Sequence, residues 1–159
     1  MKSIPDNALK YVDAQVTFAE IPDEISLCIN ISNCPIKCDG CHSFYLWGDI
    51  GTPLTPESLN FLIERNTGIT CVCFMGGDIG PDEINRLAGY VRHIYCHLKI
   101  GWYSGRQDLP RCIDPKCFDY IKLGPYIPEK GGLNSPSTNQ RFYKIENGSM
   151  IDKTFLFWR

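Results

Sequence analysis

The chain has 159 residues, of which 43% are apolar and 21% are charged, a composition typical of a globular protein rather than a disordered one. This length suits a single domain with its own core, and we assign residues 1–159 to one domain. A net charge of −2 and the lack of any run of Lys or Arg argue against a nucleic-acid-binding protein, which normally carries a basic surface.

The compartment follows from what the sequence lacks. The first ten residues contain no apolar stretch of the kind found in a signal peptide, and no apolar run approaches the ~18 residues that cross a bilayer. We therefore expect a cytoplasmic protein that does not act at a membrane. In that reducing compartment the nine cysteines do not predict disulfides, and they favour metal or redox chemistry instead.

Strands and helices are predicted to alternate along the chain. The predicted strands lie at 11–20, 25–31, 71–75, 98–103 and 118–123, and helices begin at Pro56 and near Pro81. The first two strands are joined by a turn at Pro22-Asp23, so they can pair antiparallel. The remaining alternation implies βαβ units and a mostly parallel sheet.

The C-terminal part has a different pattern. Residues 141–151 alternate around Asn147-Gly148, the strongest short signal for a β-hairpin. We therefore predict an α/β fold with a small C-terminal hairpin. Ligands of such sheets bind beyond the carboxyl ends of the strands. A cysteine-rich loop after Ile31 and two glycines after Met75 both fall at that edge.

The cysteine-rich loop contains Cys34, Cys38 and Cys41, separated by three and two residues. Three thiolates at this spacing can hold one iron–sulfur cube, and such clusters normally take four. The missing ligand would leave one iron open to a substrate, as in open metal sites generally. The spacing also allows thiols that bind nothing, or a zinc site with a fourth ligand such as His42, although zinc sites prefer two paired Cys-x2-Cys units.

Residues 25–47 resemble the radical S-adenosylmethionine (SAM) superfamily, whose hallmark is Cys-x3-Cys-x2-Cys after the first barrel strand. The stretch CPIKCDGCHSFYLW at 34–47 is similar to the activating proteins of anaerobic ribonucleoside-triphosphate reductase. The similarity extends through MGGD at 75–78, WYSG at 102–105, YIKLGPY at 120–126 and STNQRFY at 137–143. It therefore covers nearly the whole chain.

The resemblance implies a partial (β/α) barrel of the radical-SAM type, a [4Fe–4S] cluster on the three loop thiols, and SAM as second cofactor. The implied SAM-binding residues are Gly40, His42, Gly76, Gly77, Asp78 and Ser104. Gly76 and Gly77 would approach the methionine amino group, and Asp78 would offset its charge. No side chain is implied as a catalytic acid or base.

Two positions depart from the family pattern. Many members place an aromatic residue before the third cysteine to pack on adenine, and this chain has Gly40. Adenine packing must then come from elsewhere, and the backbone and His42 are two candidates. The usual Gly-Gly-Glu is Gly-Gly-Asp here, which keeps the negative charge at Asp78 on a shorter side chain.

The implied activity is that of an oxidoreductase that cleaves SAM reductively and forms a glycyl radical on a partner. The partner would be the large subunit of anaerobic ribonucleoside-triphosphate reductase, and a low-potential electron donor would supply the electron. Two alternatives are the same chemistry on another glycyl-radical enzyme or a small molecule, and a zinc-bound interaction module without catalysis.

Other residues have simpler interpretations. Gly-Gly-Asp also suits a tight strand-to-helix turn, and Ser104 also suits an ordinary turn. His93 and His97 lie four apart on a predicted helix, where they would complement its carboxyl end rather than bind zinc. Burial in the core is expected for Cys28, Cys71 and Cys73, whereas the sequence leaves the role of Cys112 and Cys117 undecided.

Overall fold

The computed structural model describes residue 4 and residues 6–158. This part of the chain is a mixed α/β structure with one eight-stranded sheet and two α-helices. The strands are β1 (Lys10–Thr17), β2 (Ser26–Ile31), β3 (Thr52–Pro53), β4 (Cys71–Met75), β5 (Lys99–Tyr103), β6 (Tyr120–Leu123), β7 (Arg141–Glu146) and β8 (Ser149–Asp152); the helices are α1 (Pro56–Arg65) and α2 (Pro81–Ile94). None of the helices described is both long and apolar enough to span a membrane.

The sheet has the order β3-β1-β2-β4-β5-β6-β7-β8. Its four central strands, from β2 to β6, pair in parallel, which confirms the predicted parallel arrangement. The outer pairs are antiparallel, including the predicted β1–β2 pair and the β7–β8 hairpin. The described strands form an open sheet with β3 and β8 at its edges, and not a closed barrel.

The two helices connect parallel strands and pack on one face of the sheet. α1 starts where it was predicted, because the Thr55 hydroxyl accepts a hydrogen bond from the Ser58 amide at 3.2 Å. The connection from β5 to β6 contains only a 3₁₀ turn at Pro115–Cys117. The predicted alternation of strands and helices therefore holds for the connections that lead to β4 and β5, and not for the one that leads to β6. α2 ends at Ile94, and His97 therefore lies beyond the helix on which it was predicted.

Side chains alternate between the two faces of the central strands. The helix-facing core includes Leu27, Ile29, Val72, Phe74 and Trp102. The opposite face carries a second, smaller core of Ile21, Cys28, Cys71, Cys73, Tyr103, Tyr120 and Phe142. Burial of the three cysteines in this second core confirms the prediction made for them.

Candidate metal and cofactor site

The candidate site lies at the carboxyl ends of the four parallel strands. Asn30, Met75, Tyr103 and Lys122 are consecutive register partners, and they form one row across β2, β4, β5 and β6. Their neighbours along the strands face the helices, so the row lies on the opposite face of the sheet. All four residues line a cavity, which is where parallel sheets generally bind ligands.

The cysteine loop leaves β2 and folds back over this edge. The Cys34 amide donates to the Leu46 carbonyl at 3.0 Å, and the Asn33 amide donates to the Gly48 carbonyl at 2.9 Å. These bonds close the loop around a 3₁₀ turn at Phe44–Trp47. Cys34 and Cys41 line the cavity, and all three cysteines of the loop, including Cys38, are half-buried.

Two of the three sulfurs accept hydrogen bonds from the backbone. The Tyr126 amide donates to Cys38 Sγ at 3.3 Å, and the Ser43 amide donates to Cys41 Sγ at 3.4 Å. Amide donors of this kind stabilise a thiolate and raise the reduction potential of an iron–sulfur cluster. The donor set of three thiols from one loop, two with amide partners, therefore fits a [4Fe–4S] cluster.

A single metal ion requires a different arrangement. Among the described residues, no group of three or more His, Cys, Asp or Glu side chains surrounds a point where one ion could bind. Zinc gathers its ligands around one centre, whereas each cysteine of a cluster binds a separate iron. The two sites thus require different separations between the sulfurs.

The cavity has a volume of about 210 Å³. Its lining includes Cys34 and Cys41 from the loop, Trp47 from the 3₁₀ turn, and Gly76, Asp78, Ser104 and Gly105 from the loops after β4 and β5. Small-molecule sites usually measure about 300–1,000 Å³. A nucleoside-sized ligand would therefore extend beyond the cavity along the cysteine loop or displace part of that loop.

Lys122 places a positive charge in the cavity wall. Its ammonium group donates to the carbonyls of Ser104 at 3.1 Å and Gly124 at 2.8 Å, which leaves one N–H for a ligand. Burial lowers the pKa of Lys122 to about 8, although Asp78 and the three loop cysteines oppose this effect. Sequence reasoning missed Lys122, because one lysine inside a strand carries no signal until the register across the sheet is known.

Asp78 joins the loops that follow β4 and β5. One carboxylate oxygen accepts from the Ser104 hydroxyl at 2.5 Å and the other from the Gly105 amide at 2.9 Å. The side chain is only 1% exposed, so these bonds hold its negative charge beside the cavity. The Ser104 hydroxyl is occupied by Asp78, which fits the turn interpretation of that residue.

The predicted glycines and His42 occupy different places. Gly76 lines the cavity with a φ of 100°, and a side chain there would lie 3.2 Å from the Ile31 carbonyl oxygen. Gly77 packs against Ile84 instead. Gly40 and His42 lie beside Tyr126, and neither belongs to the described lining of the cavity.

The remaining cysteines lie apart from this row. Cys96 and Cys112 are exposed, and Cys117 is half-buried beside the helix-facing core. Comparisons of the chain with protein-family models, with curated proteins and with solved structures found no match.

Proposed function

We propose that this chain is an activating enzyme of the radical-SAM type, with a [4Fe–4S] cluster held by Cys34, Cys38 and Cys41. The open sheet would be the partial (β/α) barrel of that superfamily. The observation that supports this proposal most strongly is the position of the three thiols. Cys34 and Cys41 line a cavity that is also lined by Lys122 and by the buried carboxylate of Asp78, and Cys38 belongs to the same loop.

Two side chains have the charges that a bound amino acid requires. The Lys122 ammonium would hold the carboxylate of SAM, and Asp78 would offset the charge of its amino group. Both groups are fixed by bonds to neighbouring loops, so little ordering is needed when a ligand binds. Since the cavity is small, SAM would place its nucleoside portion along the cysteine loop.

A cluster held by Cys34, Cys38 and Cys41 would supply one-electron reduction of SAM, with the electron coming from a low-potential donor, and so the means to form a glycyl radical on a partner protein. We propose the large subunit of anaerobic ribonucleoside-triphosphate reductase as that partner. This chain would hold SAM in place, and it needs no acid or base of its own.

The decisive experiment combines four components without oxygen: the reconstituted chain, SAM, a reductant and the reductase large subunit. Electron paramagnetic resonance should show a glycyl-radical doublet that requires all four. The Lys122→Met variant should keep its iron and form at least about tenfold less 5′-deoxyadenosine, because a hydrogen bond to a charged group contributes roughly 1.5–3 kcal/mol.

Other outcomes would favour the alternatives. Stoichiometric zinc without sulfide in anaerobically purified protein would favour the zinc-bound interaction module. Turnover of a free metabolite with no protein partner would favour a small-molecule enzyme with the same cofactors. A doublet on a different glycyl-radical enzyme, and none on the reductase, would keep the chemistry and change the partner.

A further inference from the structure

Trp47 brings an unpartnered hydrogen-bond donor to the cavity. The residue ends the 3₁₀ turn after the cysteine loop and lines the cavity with Cys34 and Cys41. Its Nε1 atom is buried and has no hydrogen-bond partner among the described residues. An indole N–H can only donate, and a buried donor without a partner costs about 1–3 kcal/mol. Such an atom beside a cavity indicates that a ligand supplies the acceptor.

The other indole near this cavity is satisfied by the protein itself. Trp102 packs in the helix-facing core, and its Nε1 donates to the Gly76 carbonyl at 2.7 Å. The fold therefore provides a partner for one buried indole N–H at this edge of the sheet and leaves that of Trp47 free. This contrast marks Trp47 Nε1 as the buried indole donor at this edge of the sheet that still lacks an acceptor.

Position and charge narrow down which part of a ligand meets Trp47. Lys122 lies on β6, whereas Trp47 follows β2, and β4 and β5 lie between them. If the ligand is SAM, as proposed above, its carboxylate is held at Lys122 and its nucleoside end lies towards β2. An uncharged donor in that place suits an uncharged acceptor. We propose that Trp47 Nε1–H donates a hydrogen bond to a ring nitrogen of the adenine of SAM.

Binding measurements on the reconstituted, cluster-containing protein test this contact. We expect Trp47→Phe to weaken the binding of SAM and the binding of 5′-deoxyadenosine by the same factor, about tenfold. Methionine binding should be unchanged. Trp158→Phe is the matched control, because Trp158 is 37% exposed and lies outside the described lining of the cavity. Iron content and thermal unfolding are measured for each variant.

Each result separates this contact from the function on which it rests. Wild-type protein that binds no SAM contradicts the proposed function. Wild-type protein that binds SAM, together with a Trp47→Phe variant that binds it equally well, overturns the Trp47 contact alone. A loss of methionine affinity, or a shift of the cluster potential with unchanged nucleoside affinity, also overturns it, because the indole would then face the amino acid or the cluster.

A second set of ligands tests the same contact even if the Trp47→Phe variant loses its iron. The 1-deaza, 3-deaza and 7-deaza analogues of 5′-deoxyadenosine each lack one ring-nitrogen acceptor. One of them should bind wild-type protein about tenfold more weakly than the parent compound, and should lose nothing further in Trp47→Phe. Equal binding of all three analogues to wild-type protein, or the same loss in both proteins, overturns the proposal.

Discussion

Two groups of three cysteines, one in the loop after β2 and one on the strands, have opposite surroundings. The loop cysteines are Cys34, Cys38 and Cys41, and the strand cysteines are Cys28, Cys71 and Cys73. The loop cysteines are half-buried, and two of them accept amide hydrogen bonds. The strand cysteines are buried in the second core, where burial raises the pKa of both Cys71 and Cys73.

The difference shows that surroundings decide what a thiol can do. Metal binding requires the thiolate, which is stabilised by amide donors and disfavoured in an apolar core. Cys28 and Cys73 face each other across β2 and β4, one row below the candidate site, and they fill space as small apolar residues would. The loop beyond β2 and the strands beneath it thus place the same residue type in different surroundings.

The largest expected effect is the difference in iron binding between a variant that lacks one loop cysteine and a variant that lacks one strand cysteine. Cys38→Ala should abolish iron and sulfide binding after anaerobic reconstitution, because the two remaining thiolates do not hold the cluster securely. Cys73→Ala should bind as much iron as the wild type, with a small loss of stability. Iron and sulfide analysis checks both variants, and equal loss of iron in the two would show that the ligands are assigned wrongly.

Alkylation of the iron-free protein with iodoacetamide sharpens the same comparison. Loop cysteines should react at least ~100-fold faster than strand cysteines, since the latter become accessible only when the sheet opens locally. The raised pKa of Cys71 and Cys73 slows their reaction further. Mass spectrometry follows each site, with the exposed Cys112 as internal reference. Reaction of Cys73 at the rate of Cys112 would contradict the buried core.

A smaller effect concerns the packing around Cys73 in the strands. Gly101 lies beside Cys73, and a side chain there would approach Ile21 Cδ1 to 2.7 Å and Cys73 Sγ to 3.2 Å. Gly101→Ala should therefore lower the free energy of unfolding by about 1–3 kcal/mol, and Cys73→Ala should relieve part of this loss. Urea unfolding of the iron-free protein measures both effects.

Gly89→Ala is the control for that substitution. Gly89 lies in α2, and a side chain there meets no described atom within 4 Å. The change should stabilise the protein by roughly 0.5–1 kcal/mol, because glycine is unfavourable inside a helix. If both glycine variants were equally stable, the close packing between Gly101 and the strand cysteines would not hold.

Much of the fold was predictable because its signals are local. The apolar run at Cys71–Met75, the cap at Thr55 and the turn at Asn147-Gly148 each depend on neighbouring residues alone. β3 was missed, since its two residues become a strand only by pairing with Lys10 and Tyr11. The helix-free connection before β6 was missed for a similar reason, because nothing local requires a helix there.

The candidate site was predictable where its residues lie close together in sequence. Gly76 and Asp78 follow one strand directly, and both line the cavity. Lys122 was missed, because its position depends on the register of four strands. His42 lies only one residue after Cys41, yet its ring lies near that of Tyr126 and outside the described lining of the cavity, a placement that spacing does not reveal.

The amide donors to Cys38 and Cys41 have a consequence for how this loop tolerates sequence change. The donors belong to the main chain of Tyr126 and Ser43, so replacing either side chain leaves the N–H in place. Only proline removes it. The hydrogen bonds to these sulfurs thus depend on the path of the backbone and not on the side chains at positions 43 and 126. Substitutions other than proline at these two positions should keep both hydrogen bonds.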